Sequence, residues 1–443
     1  MSPVRVALAV VLLACGGPPA PAAHEAPPLP LPPTAVASVT PDAGADGHVS
    51  PASPLRSALG ADVALATWAG ARQLATPAGA RGLTQLVGTV GRLCALRASG
   101  EVACVANGEG WKKVAGVSDA TYLSVSHDLA CVARRTGAAA CFGYVHESWG
   151  FHPAPTDLPH VTGATRTANG DATACVLGSD GHVSCMGMGF GGALGRPLER
   201  SLEPVEPLGL GEVVDLYGSR FTTCARAKAS GVVSCWGVGE HGVLGPFDTT
   251  PDGPVEMVGL RGATDLAFEQ QWACAVLADG GVACWGDHPA ANDDDPRGAY
   301  SFQRVYGLHD AVAIALGPFH ACALRRTGQV VCFGANNEGQ LGDGTTKSRW
   351  GATDDTVVPL TPEDVGTGMG TGPVTPRLRK RPPGPRSERL VHVSALNDAV
   401  QLANDGFATC ALRRTGALVC WGAHLPGTKV DSATVATPVP GPP

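Results

Sequence analysis

Aromatic side chains are scarce in this sequence, at 5% of 443 residues, and charged ones are few, at 16%. With 59 glycines and 37 prolines, that composition favours many turns and short strands over long helices. Basic excess is also lacking. The net charge of −7 argues against a nucleic-acid binder. After the first residues no run is long and apolar enough to cross a bilayer as a helix. Catalytic signatures are missing too: there is no GxSxG, no HExxH and no phosphate-binding glycine loop. His127-Asp128 and His309-Asp310 come nearest to acid–base pairs, and neither is given a role. No enzyme activity, cofactor or metal is expected.

The start of the chain, residues 1–15, reads as a targeting segment. Val6–Ala14 is an apolar run of signal-peptide length that ends in Leu12-Leu13-Ala14-Cys15. This resembles a bacterial lipobox. The resemblance implies lipidation of Cys15, and Gly16 after it, in place of aspartate, implies delivery to the outer membrane. Residues 16–55 are rich in Pro and Ala and are expected to form a disordered tether. Residues 56–443 are then the folded body.

Fourteen cysteines remain, and they fall into seven pairs. Cys94 goes with Cys104, Cys131 with Cys141, Cys175 with Cys185, Cys224 with Cys235, Cys274 with Cys284, Cys322 with Cys332, and Cys410 with Cys420. Repetition on this scale is the main signal in the chain. Each pair brackets a glycine: Gly100, Gly137, Gly181, Gly231, Gly280, Gly328 and Gly416. A glycine fixed between two apolar runs marks a turn needing positive φ, as in a three-residue hairpin loop. With Arg326-Thr327-Gly328 as that loop, Leu324 pairs with Val330 and Cys322 falls opposite Cys332. Facing cysteines on antiparallel strands are placed for a disulfide. Structural zinc would want shorter Cys-x2–4-Cys knuckles. An even count behind a secretion signal fits seven staples. Each would stabilise its hairpin by at most about 3 kcal/mol on the chain-entropy model.

Other features keep step. An aromatic-Gly pair follows the second cysteine in five repeats, as in Trp285-Gly286. Leu or Ile stands eight residues before the first cysteine in six, with Thr167 the exception. Short turns such as Asp119-Ala120 and Asp398-Ala399 lie just upstream. A strand, a turn, a cysteine hairpin and an edge strand per repeat make a four-stranded propeller blade. The long interval before Cys410 is read as an insertion at about 361–389, not an eighth blade. The expected fold is an all-β, seven-bladed β-propeller with one stapled hairpin per blade.

Asn337-Glu338-Gly339-Gln340-Leu341-Gly342-Asp343-Gly344-Thr345, after Cys332-Phe333-Gly334, resembles the repeat of the regulator of chromosome condensation family. Gly192-Ala193-Leu194-Gly195 and Gly242-Val243-Leu244-Gly245 are weaker copies, and His320 fits the same repeat. The resemblance implies the seven-bladed propeller. It also brings a founder that is a nucleotide-exchange factor and binds chromatin, tasks ill suited to an acidic secreted lipoprotein, and fold alone does not transfer function. The expectation is an envelope lipoprotein, on the periplasmic face or the cell surface, that binds a protein partner through its rim loops. The alternatives are carbohydrate binding, and a polysaccharide hydrolase or lyase using channel acids. Trp111, Trp149 and Trp350 are candidate rim anchors. Asn292-Asp293-Asp294-Asp295 reads as a solvated loop, and Arg377, Arg379, Lys380, Arg381, Arg386 and Arg389 as a basic exposed one.

Overall fold

A computed structural model describes residues 82–442, apart from 107–108, 144–153, 221, 239–242, 245–251, 270–271, 287–301 and 347–389. It also describes the backbone of two short paired strands, Ala66–Thr67 and Arg72–Gln73. Cys15, the 16–55 tether, the 361–389 insertion, Asn292–Asp295, Trp149 and Trp350 lie outside the described residues.

Seven four-stranded antiparallel sheets follow one another in chain order. Blade 1 comprises Leu83–Thr89, Arg92–Arg97, Val102–Ala106 and Lys112–Lys113. Blades 2 to 5 repeat the pattern. Blade 6 is completed by Val391–His392, which pairs with Val330–Gly334, so the long insertion falls between the third and fourth strands of that blade. Blade 7 takes its outer strand, Ser432–Pro438, from the C-terminal end.

The hairpin register is the one the cysteine spacing demands. Leu324 pairs with Val330 and Cys322 with Cys332. In the other blades Cys94 faces Cys104, Cys131 faces Cys141, Cys175 faces Cys185 and Cys224 faces Cys235. Cys274 likewise faces Cys284, and Cys410 faces Cys420. All seven pairs are disulfides, one per blade. Their Cα atoms are 4.0–4.1 Å apart. That is tighter than the roughly 4.4–6.8 Å usual for disulfides, because each joins a cross-strand pair of the close kind.

The core is a ring of interfaces. Seven apolar clusters each join two adjacent blades, and the set includes one between blade 7 and blade 1. Thirteen of the fourteen cysteines are buried, so the disulfides also supply packing surface. Cys104 is the exception, half-buried against the cluster between blades 1 and 2.

Two devices lock blade to blade. The hairpin glycine is the first. Gly328 has φ +88°, and its carbonyl accepts the Ala399 N–H of the next blade at 3.0 Å. Gly100, Gly137, Gly181, Gly231 and Gly280 accept in the same way. The second is an indole. Trp236 Nε1 donates to Ala193 O at 3.1 Å, and Trp285 Nε1 donates to Val243 O at 2.9 Å. Both carbonyls belong to the Gly-x-Leu-Gly element of the preceding blade. A Cβ on Gly342 would approach Trp421 Cδ1 to 2.9 Å. Tryptophan thus follows the second cysteine in the three blades preceded by a Gly-x-Leu-Gly element.

The ring closes at blades 7 and 1. Gln401 Oε1 accepts the Leu86 N–H at 3.1 Å, and its Nε2 donates to Thr84 O at 2.9 Å. Behind the last strand, Pro440 O accepts Trp111 Nε1 at 2.9 Å and Pro442 O accepts from Arg97. Trp111 is therefore a closure residue packed beside Leu425 and Val439, not a free rim anchor. Residues 432–438 stay in blade 7, and the residues after them reach blade 1.

Candidate interaction face

The two ends of the propeller differ. At one end lie the tight glycine hairpins and the short joints between blades, such as Lys113 to Ala120, Asp157 to Ala164 and His392 to Ala399. Asp119, Asp310 and Asp398 in these joints accept from Arg134, Arg325 and Arg413 at 2.7–2.8 Å. His309-Asp310 is part of this structural series, with the Asp310 carboxylate engaged by Arg325. At the other end lie the turns that enter each hairpin and the long spans Met188 to Arg200, Gly237 to Val255, Gly286 to Gln303 and Gly334 to Val391. Connections that vary so widely in length, set on a rigid frame, are where binding surfaces are built.

The central channel is lined by the first strand of each blade. The residue nine before the first cysteine is Gln85, Tyr122, Arg166, Asp215, Asp265, Ala313 or Gln401, and several of these side chains bridge to a neighbouring blade. Gln85 exchanges two 2.8 Å hydrogen bonds with the backbone of Leu123. The Arg166 guanidinium lies 5.4 Å from the Tyr122 ring centre and 3.4 Å from Asp215, which also accepts from Arg226. Asp265 Oδ2 accepts the Ile314 N–H at 2.9 Å. Burial pushes the Asp265 carboxyl well above the usual range, and it pushes the Tyr122 and Tyr217 hydroxyls up as well. The space enclosed is about 140 Å³. Gln85 and Asp265 line it and latch one blade to the next.

The channel opens among the hairpin-entry turns, where a further space of about 80 Å³ is lined by Val90, His127, Arg220, Glu269, Leu316 and Gly406. The mouth has two halves. On blades 6, 7 and 1 it is apolar. Phe319 is 58% exposed and Phe407 40% exposed, and a Cβ on Gly406 would stand 3.0 Å from Val90 Cα, so these turns touch. Among the described residues of blades 2 to 5 it is polar. His127 Nδ1 lies 2.9 Å from Asp128 Oδ1, and Asp171 accepts from Arg220 Nε. The ligand atoms of His127, Asp128 and Asp171 lie within 4.8 Å of one another. Asp171 Oδ1 has no hydrogen-bond partner, and burial raises its carboxyl despite the Arg220 guanidinium.

Under the mouth lie two buried titratable groups. His320 Nε2 meets Thr409 Oγ1 at 3.0 Å and Asn404 Nδ2 at 2.9 Å, and burial lowers its pKa to about 4. Asp405 Oδ1 accepts from the Phe407 and Ala408 amides, its Oδ2 has no partner, and burial raises its pKa to about 6.

Residues 311–340 match the regulator of chromosome condensation (RCC1) repeat. The chain carries an RCC1 repeat and has the RCC1 propeller fold. It is similar to Prp20p of Saccharomyces cerevisiae, a protein studied for its binding to Gsp1p and histones, at 17% identity and TM-score 0.53 over 73% of this chain and 77% of that one. It is also similar to human WBSCR16, at 16% identity and TM-score 0.55 over 76% of this chain and 87% of that one. At these identities the likeness shows the fold alone. No curated protein sequence matches the chain. Among the described residues no helix is long and apolar enough to cross a membrane.

Proposed function

We propose that this RCC1-type propeller is a non-enzymatic, lipid-anchored envelope protein that holds a protein partner on the loop end of the ring. In this reading residues 1–15 are a lipoprotein signal, Cys15 carries the lipid, residues 16–55 are a tether and the body from 56 onward does the binding. The outer membrane is the proposed location. The observation that carries the binding reading is the contrast between the ends. One is closed by glycine hairpins and Asp–Arg pairs, while the other gathers the long connections and the exposed Phe319 and Phe407. The partners of Prp20p, the yeast RCC1 that has been seen bound to Kap60, make protein binding a natural use of the frame.

The test compares the two ends. The detergent-extracted protein is used to capture envelope proteins as wild type, as Phe319→Ser with Phe407→Ser, and as Arg135→Ser with Arg414→Ser on the hairpin end. One stoichiometric partner, lost with the first pair and kept with the second, is the expected result. Equal capture by both variants would overturn the assignment of the face. Mutation of Cys15 to Ser should release the protein from the membrane fraction and abolish fatty-acid labelling.

A further inference from the structure

We propose that the segment ahead of blade 1 is an inner clasp of the ring. Its strand pair, Ala66–Thr67 with Arg72–Gln73, docks on the channel face of blades 6 and 7, and the chain that follows ties this contact to blade 1. The occupant of that part of the channel wall is the protein's own N-terminal chain, and what it holds shut is the seam between blades 7 and 1. The clasp does not depend on what the loop end binds.

That seam differs from the others. Every other pair of neighbouring blades is joined by the chain itself, as at Lys113 to Ala120. Blades 7 and 1 come from opposite ends of the chain, and among the described residues no sheet mixes strands from the two ends. Blade 1 is built within Leu83 to Lys113 and blade 7 within Ala399 to Pro438. The seam is held by an apolar cluster, by the Gln401 latch on Leu86 and, behind the last strand, by the carbonyls of Pro440 and Pro442.

The strand pair belongs to one compact unit with the blades. It is antiparallel, with Ala66 opposite Gln73 and Thr67 opposite Arg72. The backbone of Arg72–Gln73 lies against the first strand of blade 6, Ala311–Leu316, and the first strand of blade 7, Ala399–Asn404. First strands face the channel, so a segment that meets two of them at once sits on the inner wall. The wall is low there. At the position seven before the first cysteine, blade 4 presents Tyr217 to the enclosed space, whereas blades 5, 6 and 7 present Ala267, Ala315 and Ala403. Small side chains leave room for another backbone, and the incoming chain suits the space, since Ala and Gly make up about half of residues 61–81. Residues 74–82 can span at most about 30 Å, enough to run from the wall of blade 7 to Leu83 beside it. Leu83 is itself buried in the cluster shared by blades 7 and 1. A strand pair docked on one side of the seam and a short covalent link to the other side keep the two blades at high effective concentration.

The experiment follows single amides by hydrogen exchange in the oxidised full-length chain in detergent. The Leu86 amide, held by Gln401 Oε1 across the seam of blades 7 and 1, reports on the clasp. The Leu123 amide, held by Gln85 Oε1 at 2.8 Å across the seam of blades 1 and 2, is the matched control. Replacing residues 63–75 by a Gly-Ser repeat of equal length should speed exchange at Leu86 by about tenfold or more and leave Leu123 within about twofold. A second variant inserts about twelve Gly and Ser residues after Gly79, which keeps the strand pair but lengthens its link to blade 1, and should speed Leu86 by about threefold. A Leu86 rate that does not change in the replaced chain would overturn the inference, and so would equal acceleration at Leu86 and Leu123. An insertion variant that exchanges like the wild type would also overturn it, because the strand pair would then dock without holding the seam.

Discussion

Replacing Gly328 by alanine should cost far more than its backbone angle alone explains. Gly328 has φ +88°, and an alanine held there carries about 1–2 kcal/mol of left-handed strain. Gly116 provides the control. Its φ is +80°, and a Cβ there would meet nothing within 4 Å. At Gly328 the added Cβ would stand 2.8 Å from Asn397 O and 3.2 Å from Asp398 Cα, both backbone atoms of the joint leading to blade 7. Backbone cannot swing aside as a side-chain tip can, so the hairpin and the next blade must part. Overpacking of this kind costs about 1–3 kcal/mol. Gly328→Ala should therefore lie about 1–3 kcal/mol below Gly116→Ala in guanidinium unfolding of the oxidised protein, read as the gap between midpoints at similar slope. Hydrogen exchange supplies a local readout. The Ala399 amide, bonded to Gly328 O at 3.0 Å, should exchange faster in Gly328→Ala and be unchanged in Gly116→Ala. Equal midpoints for the two variants would refute the claim that the hairpin glycine is an interblade contact as well as a turn.

Trp285→Phe should destabilise by about 1–3 kcal/mol, because it orphans the buried Val243 carbonyl. Trp421→Phe should cost less by the same denaturation assay, since Trp421 Nε1 has no partner to lose. Asp405 carries a pH signature. Its folded pKa of about 6 lies above the ordinary value of 3.8, so its contribution to stability is full below about 3.8 and is lost as pH rises through about 6. Asp405→Asn keeps an oxygen for the Phe407 and Ala408 amides, and it should raise stability at pH 8 by about 1–3 kcal/mol while changing little at pH 4. The measurement is thermal unfolding of both proteins across that range. Asp265, buried in the channel, acts in the same direction.

The blade plan was open to reading because hairpin geometry is arithmetic. A glycine at a fixed offset and a ten-residue cysteine spacing leave one register, and Cys322 opposite Cys332 follows. The Gly-x-Leu-Gly element was visible as well, but its purpose was not. That Trp236 and Trp285 answer carbonyls of the previous blade depends on how blades stack, which no single repeat contains. The latch residues were hidden for a related reason. Gln85, Asp215, Asp265 and Gln401 stand beside the leucine row and read as the solvent-facing half of an alternating strand. Gln85, Asp265 and Gln401, however, find their partners on the following blade, and Asp215 pairs with Arg226 of its own blade and Arg166 of the preceding one, out of water. Trp111 looked like a free rim aromatic because the atom it bonds, Pro440 O, lies at the other end of the chain. Asp405, in Asn404-Asp405-Gly406, reads as an ordinary turn, and only the touch of blade 1 on that turn buries it. The channel mouth had no signature at all, since its halves come from short turns of different blades.

The claim that each blade is closed by its own disulfide is tested most directly by mapping the cysteines of the non-reduced protein with trypsin and mass spectrometry. Arg or Lys lies between the cysteines of five hairpins, such as Arg325 and Arg326 between Cys322 and Cys332, so these should appear as linked peptide pairs. The hairpins from Cys175 to Cys185 and from Cys274 to Cys284 have no basic residue between their cysteines and should remain as loops within single peptides. Seven bonds, each within its own hairpin, are the predicted result. A bond joining two hairpins, or several free thiols among the fourteen, would contradict it.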